Sequence, residues 1–353
     1  MYQPGKPIEE LERELGITGA IKVASNENPL GPSPKALAAL PAALPQLHLY
    51  PDAGGFVLRR ALATKLGVGL DEIALGNGSN DLLYQLVLAT CEATDEVLSH
   101  QFAFLSYRLS AQVAGRSFVA APATPDLACD VDALIAAITP RTKLVVIGSP
   151  NNPTGSVVTK AGAEKILGAL PSRALLVIDE AYAEYAAEWP EIDHVDGLAL
   201  RKLDRRVIVL RTFSKIYGLA GLRIGYAVAD AGVTDLLGRV GRTFHVSSLA
   251  LVGATAALGD QDHVAISARH ARTAIEQLRA EVKGPGVRVY PSLTNFVLID
   301  CGRPSAPIYD KLLRVGIIVR PMAAWGLPNC IRVSVASHQD MPRVIRALVE
   351  ALA

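Results

Sequence analysis

Short apolar runs separated by longer amphipathic stretches set the rhythm of the first two thirds of the chain. The runs predict strands over 96–99, 117–121, 143–148, 174–178 and 207–211, with a further apolar run at 224–229. Helices are predicted between them, over 102–114, 131–138 and 159–170. The apolar residues within a run do not alternate with polar ones. Such strands are buried on both faces, and helices between successive strands act as crossovers. The pattern therefore predicts an α/β fold, a mostly parallel central sheet with helices on both faces. Upstream, helices are expected over 8–15, 34–43, 56–66 and 82–89, with a short strand near 21; the stretch 183–206 reads as helix-poor.

From residue 246 the rhythm changes. A long helical region, 247–283, breaks near Gly259 and Asp260. Strands follow over 287–290, 296–299, 317–320 and 330–335, with helices over 306–315 and 341–351. This texture predicts a smaller α+β domain. The expected division is a large domain over 26–245 and a small one made of 1–25 and 246–353.

Composition narrows the classes. With 353 residues, 50% hydrophobic and 20% charged, the chain is a globular protein with a large core. Lys plus Arg total 35 and Asp plus Glu 34, a net of +1, which gives no electrostatic case for nucleic acid or an anionic membrane. No uncharged run reaches the ~20 residues of a membrane span, and the N-terminus lacks a signal peptide's apolar core. Cys91, Cys129, Cys301 and Cys330 are scattered without CxxC spacing, so reduced, packed thiols, no metal site and a cytoplasmic location are expected.

In parallel α/β sheets, ligands bind beyond the carboxyl ends of the strands. Three predicted strands end in polar clusters here: Asn151 and Asn152 with Thr154, Asp179 with Tyr182, and Thr212 and Ser214 with Lys215. After Lys215 comes a glycine-punctuated turn and Arg223. A second Gly/Ser turn, Gly76-Asn-Gly-Ser-Asn80, opens directly into a helix, where free backbone N–H groups form an anion seat. An amine that forms an imine beside a phosphate seat is the requirement for pyridoxal 5'-phosphate. Each role has a candidate. Lys215 supplies the amine, and Asp179 a carboxylate that keeps the ring nitrogen protonated. Asn152 and Tyr182 suit the phenolic oxygen, and Phe102 the ring face. Gly78, Ser79, Asn80, Thr212, Ser214 and Arg223 suit the phosphate. The bland alternatives are a surface lysine in a loop, ordinary helix capping by Ser79 or Asn80, and a Tyr50 packed on its own loop.

These motifs, together with Asn28-Pro-Leu-Gly31, Tyr50-Pro-Asp52, Pro150-Asn-Asn-Pro-Thr-Gly155, Asp179-Glu-Ala-Tyr182 and Gly221-Leu-Arg223, resemble the class I/II aminotransferases. Ala24-Ser-Asn-Glu-Asn-Pro-Leu-Gly31, Val319-Arg-Pro-Met322, Gly326-Leu-Pro and Ile331-Arg-Val-Ser334 resemble the histidinol-phosphate aminotransferase branch, in order and spacing from Tyr2 to Arg343. The resemblance implies a fold-type I enzyme that is a homodimer with shared active sites. Lys215 would be its Schiff-base lysine and Asp179 its ring-nitrogen partner. Tyr50 would reach the partner's cofactor phosphate, and Tyr2 the partner's substrate. The substrates would be an amino acid, a keto acid and a phosphate ester, held by Asn26, Asn152, Arg320 and Arg332.

Some positions depart from the family pattern. Thr243-Phe-His-Val-Ser247 stands where Pro-Phe-Asn-Val-Asn is usual, His100-Gln-Phe102 replaces Pro-Ser/Thr-aromatic, and Ser149 replaces Asn. These leave the cofactor residues intact and bear on the substrate. An aromatic amino acid aminotransferase on the same frame, a phosphothreonine decarboxylase of this fold, and a catalytically idle binding module are the competing readings.

Overall fold

The structure, a computed structural model, describes residues 5–353. Tyr2 lies outside the described residues. The first strand, β1 (Ile21–Lys22), pairs with a strand near the C-terminus rather than with its sequence neighbours. Seven strands then build the central sheet: β2 (Ile73–Gly76), β3 (Glu96–His100), β4 (Ser117–Ala121), β5 (Thr142–Gly148), β6 (Leu175–Asp179), β7 (Val207–Thr212) and β8 (Gly225–Val228). Their order is β2-β8-β7-β6-β5-β3-β4. All neighbours are parallel except β8, which runs antiparallel to both β2 and β7.

The missing alternation has a direct cause. Val145 and Ile147 of β5 face one core with Leu176, Ile178 and Val209. Leu144 and Val146 face a second core with Val177, Ile208 and Leu210. Successive side chains of a strand point to opposite faces, and here both faces are covered, so both sets must be apolar.

The second sheet is built from β9 (Arg288–Val289), β10 (Phe296–Asp300), β12 (Arg320–Pro321) and β13 (Cys330–Ser334), in the order β12-β13-β10-β9 and fully antiparallel. Between its members, β11 (Ile317–Ile318) pairs in parallel with β1. The strand expected over 317–320 is thus two strands in two sheets, parted at Val319. The helical region 247–283 is two helices, Ser248–Leu258 and Gln261–Glu281. The first packs on Pro34–Ala43 and Phe56–Leu66, and the second on β10 and the closing helix Met341–Leu352.

Three further differences from the sequence pattern are local. The helix expected from 102 begins at Leu105, because Phe102 takes a left-handed backbone, φ 60, that a helix cannot contain. The stretch read as helix-poor holds Ala183–Ala186 and Gly197–Leu203, the latter capped by the Asp196 carboxylate. Helix Ala231–Val240, capped in the same way by Asp230, was not anticipated by the run pattern. Among the described residues, no helix is long and apolar enough to cross a membrane.

Candidate active site

Strands β5, β6 and β7 are neighbours and parallel, so their carboxyl ends open on one edge. Beyond that edge lies a cavity of about 400 Å³. Asn152 follows β5, Asp179 ends β6, and Ser214 and Lys215 follow β7; all four line the cavity, as do Asn26, Tyr182 and Arg332.

Asp179 is fixed at both oxygens. Oδ2 accepts from the Tyr107 hydroxyl at 3.1 Å, and Oδ1 accepts from the Ala181 N–H at 3.2 Å. Burial pushes its pKa up to about 6, against those two donors, which favour the ionised form. At neutral pH it remains mostly a carboxylate.

Lys215 is held with its Nζ 3.4 Å from the Ser25 carbonyl and 5.8 Å from the centre of the Tyr182 ring. Burial and then the Arg332 charge lower its pKa from 10.5 to about 8; Arg223 adds to this, while Glu27 and Asp179 oppose it. At pH 7 about a tenth of the amine is therefore unprotonated, far more than for an ordinary lysine, and that fraction is the nucleophile.

A hydrogen-bonded chain crosses the cavity floor. Ser334 Oγ donates to Asn26 Oδ1 at 2.8 Å, and Asn26 Nδ2 donates to the Tyr182 oxygen at 2.9 Å. Asn152 Nδ2 also donates to that oxygen, at 3.4 Å, while Asn152 Oδ1 accepts from Arg332 at 2.5 Å. Arg332 further donates to the Ala24 carbonyl at 2.7 Å, and its guanidinium lies 5.3 Å from the Phe296 ring centre. Asn26 has φ 56, a backbone conformation that asparagine tolerates better than most residues.

The other end of the cavity is an anion cradle. Gly78 precedes helix Ser79–Thr90 with φ 90 and no side-chain cap, leaving the first-turn N–H groups for a ligand. Arg223 arches over this turn, donating to the Asn77 and Ala220 carbonyls at 3.3 and 3.0 Å. Thr212, Ser214, Ser79 and Asn80 complete the lining. Gly225 makes the close approach possible: a Cβ there would lie 2.5 Å from the Ser79 nitrogen and 2.7 Å from the Gly78 carbonyl carbon. An amine of lowered pKa, a buried carboxyl and a cradle of N–H, hydroxyl and guanidinium donors fit pyridoxal phosphate at its aldehyde, ring nitrogen and phosphate.

The structure places two expected residues, Phe102 and Arg320, outside the cavity lining. Phe102 packs instead in a separate cluster with Trp325 and Leu327, because its left-handed backbone breaks the strand alternation. Phe104 lines the cavity in its place, edge-on to Tyr107 with ring centres 5.9 Å apart. Arg320 is buried directly across from Arg332 in the β12–β13 pair, 5.5 Å from the Trp325 ring centre, and is not among the cavity-lining residues. Tyr50 is 82% exposed and stacked on Phe244 at 4.7 Å, away from this chain's own cavity. Tyr107, Tyr84, Ser25 and Trp325 line the site without having been singled out in the sequence. Phe104 is the extended residue that caps the helix and Tyr107 lies in its first turn, so their three-residue spacing is the signal that could have found both.

The fold and site define an α/β protein whose cavity sets a buried lysine amine beside an anion cradle. The chain belongs to the aminotransferase class I and II family, whose profile matches residues 18–351. It is 43% identical over 351 residues to histidinol-phosphate aminotransferase 2 of Pasteurella multocida, covering 99% of this chain and 95% of that one. It is 44% identical to histidinol-phosphate aminotransferase 1 of Nitrosococcus oceani, at 99% and 94% coverage. Among solved structures it is similar to the histidinol-phosphate aminotransferase of Sinorhizobium meliloti in complex with pyridoxal-5'-phosphate, with TM-score 0.87, 32% identity and coverage of 98% and 95%.

Proposed function

We propose that this chain is a pyridoxal-phosphate-dependent histidinol-phosphate aminotransferase. It would convert histidinol phosphate and 2-oxoglutarate to imidazole-acetol phosphate and glutamate, in the cytoplasm, as a step of histidine biosynthesis. The observation that carries the reading is the convergence of Lys215, Asp179 and the Gly78–Arg223 cradle on one cavity that also holds Arg332. The full-length identity to curated histidinol-phosphate aminotransferases supports the substrate.

When bound, pyridoxal phosphate supplies an aldehyde for amines and a ring that withdraws electrons from the carbon being deprotonated. The first-turn amides, Thr212, Ser214 and Arg223 would hold its phosphate, and Asp179 would accept from a protonated ring nitrogen. Phe104 would cover the ring, and Asn152 and Tyr182 would donate toward its phenolic oxygen. Lys215 would take a proton from the substrate's α-carbon and later return one. Its lowered pKa suits both tasks near neutral pH. Arg332 pairs with the substrate's acidic group, since a guanidinium fork matches carboxylate and phosphate alike. Arg320, on the same face of the strand pair, is the second cation we assign to the phosphate end.

The homodimer belongs to the proposal. Leu37, Leu44, Leu47, Leu49, Phe56 and Val57 are each at least half exposed and cluster in one short segment around the exposed Tyr50. Apolar surface of this kind marks association, and a second copy would bring Tyr50 to its partner's cradle while Tyr2 approaches the partner's substrate. Two measurements test the reading. The purified protein should aminate 2-oxoglutarate with histidinol phosphate far faster than with phenylalanine; the opposite preference selects the aromatic aminotransferase, and carbon dioxide release the decarboxylase. Mixing inactive Lys215→Ala with an inactive Tyr50 variant should restore activity through mixed dimers. No restoration would sink the shared site.

A further inference from the structure

We propose that Tyr107 is a positioning residue that fixes the Asp179 carboxylate and the cavity wall together. The inference rests on the functional reading above for its consequence, although not for its geometry. The Tyr107 hydroxyl donates to Asp179 Oδ2 at 3.1 Å, from a side chain that is 1% exposed. Burial, reinforced by the neighbouring carboxylate, pushes the phenol's own ionisation well above its usual range, so it stays a donor at every working pH. The other oxygen of Asp179 is tied to the Ala181 N–H at 3.2 Å. Two donors on two oxygens fix the plane of the carboxylate, and a fixed plane is what a hydrogen bond from a ring nitrogen requires.

The same tyrosine ring meets Phe104 edge to face, at 86° between planes. Phe104 is the aromatic residue that lines the cavity. One side chain thus braces the group that would cover the ring and the group that would meet its nitrogen. Space for the hydroxyl comes from β5. Gly148 stands beside Asp179 in the sheet register, and a Cβ there would come within 3.0 Å of the Tyr107 oxygen. A side chain at 148 would crowd the hydroxyl at the point where it meets Asp179.

The Tyr107 donor then does most to keep Asp179 charged, ahead of the Ala181 N–H and the Lys215 charge. Burial raises the carboxyl's pKa, and the tyrosine bond is the largest influence acting against it. Tyr107→Phe keeps the ring and removes only the bond. The first measurement uses cofactor-free protein, with carboxyl-labelled aspartate followed by NMR against pH and Asp179→Asn assigning the signal. The wild-type midpoint is expected near 6. In Tyr107→Phe it should move upward while the melting profile stays close to wild type. Gly148→Ala, which leaves the tyrosine in place, should move it in the same direction. In the loaded enzyme, kcat should fall about tenfold in Tyr107→Phe with KM little changed, as expected when a bond to a charged group is lost. Unmoved midpoints in both variants overturn the proposal, as does a kcat and KM of Tyr107→Phe equal to wild type. Should Tyr107→Phe fail to fold, Gly148→Ala alone decides. A protein that binds no pyridoxal phosphate but shows the shifted titration would refute the functional reading and leave the role of Tyr107 standing.

Discussion

Lys215 should make the cofactor-free protein less stable than it would be without the amine. Its pKa falls from 10.5 to about 8 on folding, chiefly through burial and then the Arg332 charge. Each pKa unit corresponds to ~1.4 kcal/mol, so the shift sets a ceiling of about 3.5 kcal/mol on the cost of burying the charged amine. Water reaching the half-buried side chain lowers the net figure to about 1–3 kcal/mol. The sign is fixed by proton counting. Between pH 8 and 10.5 the unfolded chain keeps a proton that the folded chain has released. Wild-type stability from this group therefore rises with pH across that window, and the full cost is present below it. Lys215→Met removes the charge and keeps an apolar chain of similar length. The variant should be inactive yet more stable at pH 7 by about 1–3 kcal/mol, an advantage that shrinks as pH rises through the window. Urea unfolding of both cofactor-free proteins at pH values from neutral to alkaline measures the difference. A variant less stable at pH 7, or an advantage that does not change with pH, would refute the assigned burial of the amine.

Gly225→Ala places a Cβ against the backbone of the cradle; overpacking of about 1–3 kcal/mol should weaken cofactor binding roughly ten- to a hundredfold, read by cofactor titration. Arg332→Ala should raise KM for 2-oxoglutarate and for histidinol phosphate alike, each by roughly tenfold or more, because one guanidinium serves both anions; loss confined to one substrate would mean two separate clamps. Asp179→Asn should slow transamination while cofactor phosphate binding persists, and stopped-flow measurement of each half-reaction checks it.

Most of the architecture is legible because burial on both faces writes itself into composition. Strands such as 143–148 and 207–211 have no polar side to lose, so their apolar runs mark them without ambiguity. Lys215 and Asp179 are legible for a related reason: Asp179 closes such a run and Lys215 follows one within a few residues, at the strand ends where ligands bind. What the sequence hides is settled by backbone conformation and by neighbours remote in the chain. Phe102 and Phe104 are the same residue type two positions apart, and the left-handed turn at Phe102 decides which one reaches the cavity. The strand expected over 317–320 is continuous in hydropathy; its division depends on β1 and β13, distant partners that compete for its two halves. Tyr107 looks like a core tyrosine and is one. Its second task appears only when β6 brings Asp179 beside it, 72 residues away in sequence.

Charge distribution explains why these groups tolerate one another. The chain as a whole carries a net charge of +1, yet the charged residues lining the cavity are Lys215, Arg223 and Arg332 against Asp179 alone. Arg332 and Arg223 both lower the pKa of Lys215, so the site holds cations that repel one another at close range. Such an arrangement costs stability by itself and is relieved by an anion. It favours ligands carrying phosphate or carboxylate, and it keeps the lysine amine partly neutral until they arrive. Relief and reactivity are coupled: an anion at the cradle or at Arg332 weakens the field that lowers the Lys215 pKa, and so raises the basicity of its amine. The cations that recruit the substrates thereby also set the basicity of the group that acts on them.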